Sequence, residues 1–285
     1  SQNKGGIKMK KGINIWSFPD GMKMADCMVL AKKAGYDGIE LSLDEEGEVS
    51  LASSEKDLLA LKRTAEEVGI EVPSIASGLY WTYPATSPDP AIRQKSGDIV
   101  KKQLEVAAVF GADSILVVPG AVTGPSADSE AVPYDVAYDR ALEAFAGLKG
   151  EAAANQVNIG LENVWNKFLL SPLEMRNLID QIDSPWIGSY FDIGNVLLFG
   201  YPEQWVRILG NRIKKVHIKD FRQSVGTLGG FVDLLAGDVN FPEVMKAFRE
   251  IGYDDYITAE MSPYKNYAGQ ILYNTSGAMD RILER

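Results

Sequence analysis

The sequence predicts an α/β protein that folds as a closed (β/α)₈ barrel. Strand-like apolar runs alternate with amphipathic helical patterns, and eight such pairs follow one another from Gly12 onward. Short connections between them imply parallel strands joined by right-handed crossovers. The length of 285 residues suits one such domain, because these barrels typically need about 250 residues. The alternative is a doubly wound open sheet, which rarely places four candidate ligands on consecutive strands.

The first four strand and helix pairs follow from apolar runs and their boundary residues. Two of the helices end at Gly35 and Gly69, the residue type that a left-handed C-terminal cap favours. We predict strands at 12–16, 38–42, 71–76 and 114–118, and helices at 23–34, 54–68, 90–110 and from after Pro133 to about Asn155.

The second half repeats this alternation and contains one long irregular connection. Ser171 precedes a proline and Glu174, a capping-box pattern for the start of a helix. The connection at 221–240 is rich in glycine and follows the seventh predicted strand, so we expect a lid over the barrel mouth. We predict strands at 158–162, 188–192, 214–217 and 256–260, and further helices at 202–209, 241–251 and from 267 onward.

Composition narrows the class of protein. The net charge of −10 and the lack of a Lys and Arg cluster argue against nucleic-acid binding. No apolar run approaches the roughly 18 residues of a membrane span. Cys27 is the only cysteine and lies in an apolar helical pattern, so we expect a core residue and a reducing compartment. A cytoplasmic protein is expected, with a periplasmic origin open. We expect residues 1–10 to be a disordered lead-in and residues 11–285 to form one catalytic domain.

Four polar residues end apolar runs in the second half of the chain. They are Glu162, Asp192, His217 and Glu260, and His217 is the only histidine. The carboxyl ends of parallel strands meet at one end of a barrel, where barrel enzymes keep their active sites. Three carboxylates and one imidazole form a mixed oxygen and nitrogen site that suits Mn²⁺, Mg²⁺, Co²⁺ or Zn²⁺. The sequence therefore predicts one divalent metal ion held by these four side chains.

Such a site suits proton transfer next to a carbonyl group. A divalent ion can hold two neighbouring oxygens of a ketose and stabilise the enediolate that forms when a proton leaves. Glu162 and Glu260 come from different strands, so one can remove the proton while the other returns one to the opposite face. This pair is the predicted catalytic pair, and the predicted outcome is epimerisation.

The motifs around these residues resemble the sugar phosphate isomerase/epimerase superfamily, which has a xylose isomerase-like TIM barrel. The nearest branch contains L-ribulose-5-phosphate 3-epimerase and the ketose 3-epimerases. The resemblance implies that the four residues bind Mn²⁺ or a similar ion and that the two glutamates transfer the proton. Several free-ketose epimerases have a histidine shortly after the aspartate ligand, where this chain has Asn195, which leaves the sugar open. The motifs are ENVWNKF at 162–168, DIGN at 192–195, VHIKD at 216–220 and TAE at 258–260.

Further residues are candidates for binding the substrate. Glu40 ends the second predicted strand and either contacts the sugar or metal site or forms a structural ion pair. Arg222 can bind a sugar oxygen or phosphate, or it is a solvated loop charge. Trp16, Tyr80 and Trp81 can stack on a sugar or pack the barrel rim. The candidate set is Glu40, Asn195, Arg222, Trp16, Trp81, Asn166 and Lys167.

The sequence predicts a metal-dependent epimerase or isomerase that acts on a ketose or ketose phosphate, with manganese as the expected ion. A dehydratase or a keto-inositol isomerase on the same scaffold is one alternative, and a noncatalytic sugar-binding barrel is another. No glycine-rich nucleotide fingerprint follows the first predicted strand, so no dinucleotide cofactor is expected. The expected partner is a small sugar or sugar phosphate, and the resemblance implies a dimer or tetramer.

Overall fold

Eight parallel strands close into a barrel in the computed structural model, which describes residues 8–124 and 129–285. Each barrel strand pairs with the next one along the chain, and the last returns to the first. This confirms the predicted (β/α)₈ barrel. A short antiparallel pair, β8 (Asp220–Phe221) and β9 (Phe231–Val232), lies outside it. The barrel strands are β1 Lys10–Asn14, β2 Gly38–Ser42, β3 Ser74–Ala76, β4 Ser114–Val117, β5 Asn158–Glu162, β6 Ile187–Asp192, β7 Ile213–Ile218 and β10 Tyr256–Ala259.

Helices follow the barrel strands and carry caps that the sequence indicated. Gly69 ends α2 with a φ of 79°, and the Ser171 hydroxyl accepts a hydrogen bond from the Glu174 amide at 3.2 Å at the start of α6. The helices are α1 Met24–Lys33, α2 Glu55–Val68, α3 Pro90–Phe110, α4 Tyr134–Ala146, α5 Lys149–Asn155, α6 Pro172–Ile182, α7 Pro202–Leu209, α8 Phe241–Glu250 and α9 Gln270–Leu283.

Several boundaries differ from the prediction for local reasons. The helix expected up to Asn155 is interrupted at 147–148, where Gly147 caps α4. The first strand starts at Lys10, one residue before the expected domain start, and stops at Asn14. There the Asn14 side chain accepts a hydrogen bond from the Trp16 amide at 2.7 Å and begins a 3₁₀ turn. β3 starts at Ser74 because Pro73 has no amide proton for a strand ladder.

Side chains alternate between the helices and the barrel interior. Ile13, Ile39 and Ile257 point outward and are fully buried against the helices. Cys27 is also buried in this layer, as predicted. Residues 1–7, most of the expected lead-in, lie outside the described ranges. Within those ranges, no helix is both long and apolar enough to span a lipid bilayer.

Tyr256 and Lys215 close the amino-terminal end of the barrel. Gly38 and Gly12 face the interior beside Tyr256, and a Cβ on Gly38 would lie 2.7 Å from the Tyr256 Cε1 atom. The Tyr256 hydroxyl donates to Glu71 Oε2 at 2.6 Å. Lys215 is 2% exposed, and its ammonium group lies between two aspartates at the same end. The opposite end is the one that holds the candidate ligands.

Candidate metal centre and active site

The structure brings the four predicted ligands together at the carboxyl-terminal mouth of the barrel. Glu162 ends β5, Asp192 ends β6, His217 lies near the end of β7 and Glu260 directly follows β10. Each contributes one ligand atom, and these atoms all lie within 4.8 Å of one another. Parallel register produces this convergence, since Asp192 pairs with His217 in the sheet.

Buried polar atoms in this cluster have no hydrogen-bond partner in the part of the chain that the structure describes. They are Glu162 Oε2, Asp192 Oδ2 and His217 Nδ1. His217 Nδ1 lies 3.1 Å from Glu162 Oε2, 2.9 Å from Glu260 Oε2 and 3.8 Å from Asp192 Oδ2. Ligands that each lie about 2.1 Å from one ion are about 3 to 4 Å apart. The donor set therefore fits a divalent cation, which would satisfy atoms that are otherwise costly to bury.

Burial and neighbouring charges shift the pKa values of the four side chains in the cluster. Burial raises the pKa of Glu162 to about 7, although His217 opposes the shift. Burial also raises the pKa of Asp192, with Lys219 opposing it. For Glu260, burial acts in the same direction, but Lys219 and His217 outweigh it and hold the pKa below its usual range. Burial alone would lower the pKa of His217, but Glu40 and the neighbouring carboxylates raise it well above 6.5.

Lys219 is a cation in the site whose contacts the sequence analysis did not predict. Its Nζ atom lies 3.2 Å from Asp192 Oδ2 and 3.1 Å from Glu260 Oε1. The next residue, Asp220, points to the other side, as strand alternation requires. The VHIKD motif was the available signal, but the spacing alone did not show which of the two residues faces the mouth.

Glu40 lies inside the barrel and is 0% exposed. Its carboxylate approaches His217 Nε2 at 2.6 Å and accepts hydrogen bonds from Asn14 Nδ2 at 2.5 Å and Ser74 Oγ at 2.6 Å. The Tyr190 hydroxyl is a further donor. The structure thus places Glu40 against a metal-ligand candidate, with its oxygens already engaged by other side chains.

Two candidate amides are used to hold loops at the mouth. The backbone N–H of Asn195 donates to Asp192 Oδ1 at 2.9 Å, and the Asn195 side-chain Oδ1 accepts from Lys219 at 3.2 Å. Asn166 Nδ2 donates to the Gly120 carbonyl at 2.5 Å, and its Oδ1 accepts from the Phe168 amide at 3.0 Å. These hydrogen bonds fix the loops that surround the candidate site.

The remaining candidates lie on connections that follow strands. Trp16 is 39% exposed in the turn after β1, and Trp81 is half-buried in a turn after β3. Tyr80 is 1% exposed, and its hydroxyl donates to Gln103 on α3 at 2.5 Å, so it packs the rim. Lys167 is exposed after β5 with a φ of 58°. The Arg222 guanidinium is exposed and donates to the Ala236 carbonyl at 2.7 Å.

The segment 221–240, predicted as a lid, is an ordered connection anchored by Asp220. The Asp220 carboxylate accepts hydrogen bonds from the amides of Leu235 at 2.9 Å and Gly237 at 3.0 Å. It also accepts from the amides of Phe221 at 2.9 Å and Val239 at 3.2 Å. Both ends of the segment are thereby tied to the strand end that carries His217.

A closed parallel barrel with an acidic and histidine cluster at its carboxyl-terminal mouth defines the class of this protein. The family model for xylose isomerase-like TIM barrels matches residues 28–276. The chain belongs to this family, as its motifs indicated.

Curated relatives match most of the chain. The putative L-ribulose-5-phosphate 3-epimerase SgbU of Escherichia coli (strain K12) is 28% identical over 267 residues, which cover 88% of this chain and 87% of that protein. The L-ribulose-5-phosphate 3-epimerase UlaE of Salmonella heidelberg (strain SL476) is 27% identical over 253 residues, or 85% of this chain and 83% of that protein. These similarities identify the chain as an enzyme.

Solved structures with the same fold include ketose epimerases. A D-psicose 3-epimerase determined with D-fructose has a TM-score of 0.78 and 18% identity, covering 97% of this chain and 100% of that one. An L-ribulose 3-epimerase has a TM-score of 0.78 and 19% identity, and the match covers 97% of this chain and 95% of that one. At these identities the likeness establishes the fold.

Proposed function

We propose that this chain is a divalent-metal-dependent epimerase that acts on a ketose or ketose phosphate. The observation that carries the proposal is the convergence of Glu162 and Glu260 on His217 Nδ1, at 3.1 Å and 2.9 Å. Two carboxylates from different strands at one cation site are suited to removing a proton and returning one. The curated relatives, named as L-ribulose-5-phosphate 3-epimerases, support the same reaction class.

The proposed roles follow from the positions of the side chains. Asp192 and His217 would hold the ion together with the two glutamates. When bound, a divalent ion supplies the positive charge that stabilises negative charge developing on the sugar oxygens. Glu162 and Glu260 exchange the proton on the carbon next to the carbonyl from opposite faces, which inverts that carbon. Lys219 keeps Glu260 ionised, since it lies 3.1 Å from the Glu260 carboxylate.

The proposal is tested with pentuloses and hexuloses, with and without phosphate, in deuterated water. We expect an epimer with deuterium at the inverted carbon, loss of turnover with excess chelator, and recovery when Mn²⁺ is added. Metal analysis of the purified protein identifies the ion that it carries. Unchanged turnover in excess chelator would refute the metal dependence. A product that has lost water would indicate a dehydratase, and binding without turnover would indicate a sugar-binding barrel.

A further inference from the structure

The hydrogen bond between Glu40 and His217 joins the barrel interior to the candidate metal site. Both side chains are 0% exposed, and Glu40 Oε1 lies 2.6 Å from His217 Nε2. We infer that Glu40 is a positioning residue, which fixes the tautomer and orientation of His217 so that Nδ1 is the metal ligand. This inference rests on the metal site of the proposed function but not on the reaction.

The two nitrogens of His217 have different surroundings. A carboxylate only accepts hydrogen bonds, so Nε2 must carry a proton to bind Glu40. In a metal-binding, singly protonated imidazole, the free lone pair is then on Nδ1. Nδ1 is also the buried nitrogen without a hydrogen-bond partner in the described residues, and it faces Glu162 and Glu260. The lone pair therefore points at the other ligands.

The Glu40 carboxylate is itself held in place from three strands. Asn14 on β1 donates to Oε1 at 2.5 Å, and Ser74 on β3 donates to Oε2 at 2.6 Å. The Tyr190 hydroxyl on β6 donates to Oε2 as well. Each oxygen thus has two partners once His217 is counted, so the carboxylate has one favourable orientation.

The ring of Tyr190 also restricts the imidazole plane. It packs edge to face against His217, with ring centroids 4.6 Å apart and an interplanar angle of 67°. A flipped imidazole would place carbon Cδ2 where Nδ1 faces Glu162 and Glu260, and carbon Cε1 where Nε2 faces Glu40, so both polar contacts would be lost. Tyr190 and Glu40 together stabilise the orientation that leaves Nδ1 at the mouth.

The test uses the single histidine of the chain. Protein labelled with ¹⁵N-histidine and loaded with Zn²⁺, which is diamagnetic, should give one imidazole spectrum. We expect a proton directly bonded to Nε2 and zinc on Nδ1. The zinc dissociation constant, measured by competition with a chelating indicator, should rise about 10- to 100-fold in Glu40→Gln. Tyr190→Phe removes only a hydroxyl and should give a smaller loss in the same direction.

Glu71→Gln is the matched control, because Glu71 is an exposed glutamate at the opposite end of the barrel. Its zinc affinity should equal that of the wild type. Zinc on Nε2, or wild-type affinity in both Glu40→Gln and Tyr190→Phe, would overturn the inference. If Glu40→Gln does not fold, the zinc affinity of Tyr190→Phe and the wild-type spectrum still test the inference. A wild type that binds no zinc would instead refute the proposed metal site, and this inference with it.

Discussion

Glu162 is a residue whose charge would depend on whether a cation is present, because its pKa lies close to neutral pH. Burial raises its pKa to about 7 in the metal-free protein, and its neighbour His217 also retains a proton to well above pH 6.5. Metal ligands must lose such protons before they bind. Protons would therefore compete with a divalent ion at neutral pH.

We expect the affinity for Mn²⁺ to fall as the pH decreases through about 7, the pKa of Glu162. A carboxyl with a raised pKa is protonated below that value, so each binding event must release a proton. The measurement is the Mn²⁺ dissociation constant one pH unit below and one unit above this point, with proton release followed in weak buffer. An affinity that does not change with pH, and no proton release, would contradict this.

The proposed catalytic pair, Glu162 and Glu260, leads to a prediction that is separate from metal binding. At saturating Mn²⁺, Glu162→Gln and Glu260→Gln should each lower kcat by about 10²- to 10⁴-fold, because an amide cannot accept the substrate proton. Turnover and deuterium incorporation are measured on the active ketose. Glu67→Gln, an exposed position on α2, serves as the control. Activity within a few-fold of wild type in either active-site variant would remove that glutamate from the mechanism.

The sequence indicated the four candidate ligands because each lies at or next to the end of an apolar strand, and parallel strands bring such ends together. It did not identify the partners of Glu40. Asn14, Ser74 and Tyr190 are ordinary residue types on three separate strands, and their convergence depends on the closed barrel. The hydrogen bond from the Asn166 side chain to the Gly120 carbonyl could not be predicted either, because it depends on the conformation of two loops.

At the scale of elements, the conformation of the segment 221–240 depends on close contact between the Asp220 carboxylate and the backbone of that segment. A Cβ on Gly237 would lie 2.2 Å from Asp220 Oδ1, whereas the nearest atom to a Cβ on Gly229 is 3.7 Å away. These two glycines lie in the same segment, so they form a matched pair.

Gly237→Ala should loosen the segment, because the added methyl group displaces the carboxylate that binds four amides. We expect a loss of about 1–3 kcal/mol in the free energy of unfolding and faster proteolysis within 221–240. Gly229→Ala should match the wild type in urea unfolding and in limited proteolysis. Equal behaviour of the two variants would show that Asp220 does not anchor the segment.

Element types were predictable from periodicity, whereas some boundaries depend on single side chains. The β1 strand ends where the Asn14 side chain binds the Trp16 amide, and a strand pattern of Ile and Trp does not reveal that turn. Gly147 interrupts a helical pattern that otherwise continues. The Ser171 cap was predictable because the residues involved are neighbours in sequence.

For the whole molecule, the candidate ligands come from β5, β6, β7 and the residue after β10, so an ion there would join four of the eight barrel strands. An ion that binds only the folded state should stabilise it by about 2.7 kcal/mol at a concentration 100 times its dissociation constant. Thermal unfolding with Mn²⁺ and with chelator measures the shift in Tm. Asp192→Asn should reduce the shift, and Glu67→Gln should retain it. An unchanged Tm in the wild type would argue against the site.

The barrel as a whole was the most predictable level, because eight repeats of one pattern leave few ways to pair the strands. Which helices are interrupted and how the mouth is shaped depend on contacts between distant residues. The identity of the sugar also depends on contacts between residues that are distant in sequence. Asn195, whose side chain accepts a hydrogen bond from Lys219, does not by itself specify a substrate.

The packing of Tyr256 and Lys215 at one end of the barrel has a kinetic consequence. Because buried side chains fill that end, reactant and product would both use the entrance at the carboxyl-terminal mouth. A product molecule that lingers there delays the next reactant, and inhibition by product should therefore be competitive. Attachment to a solid support through the sealed side would leave that entrance free.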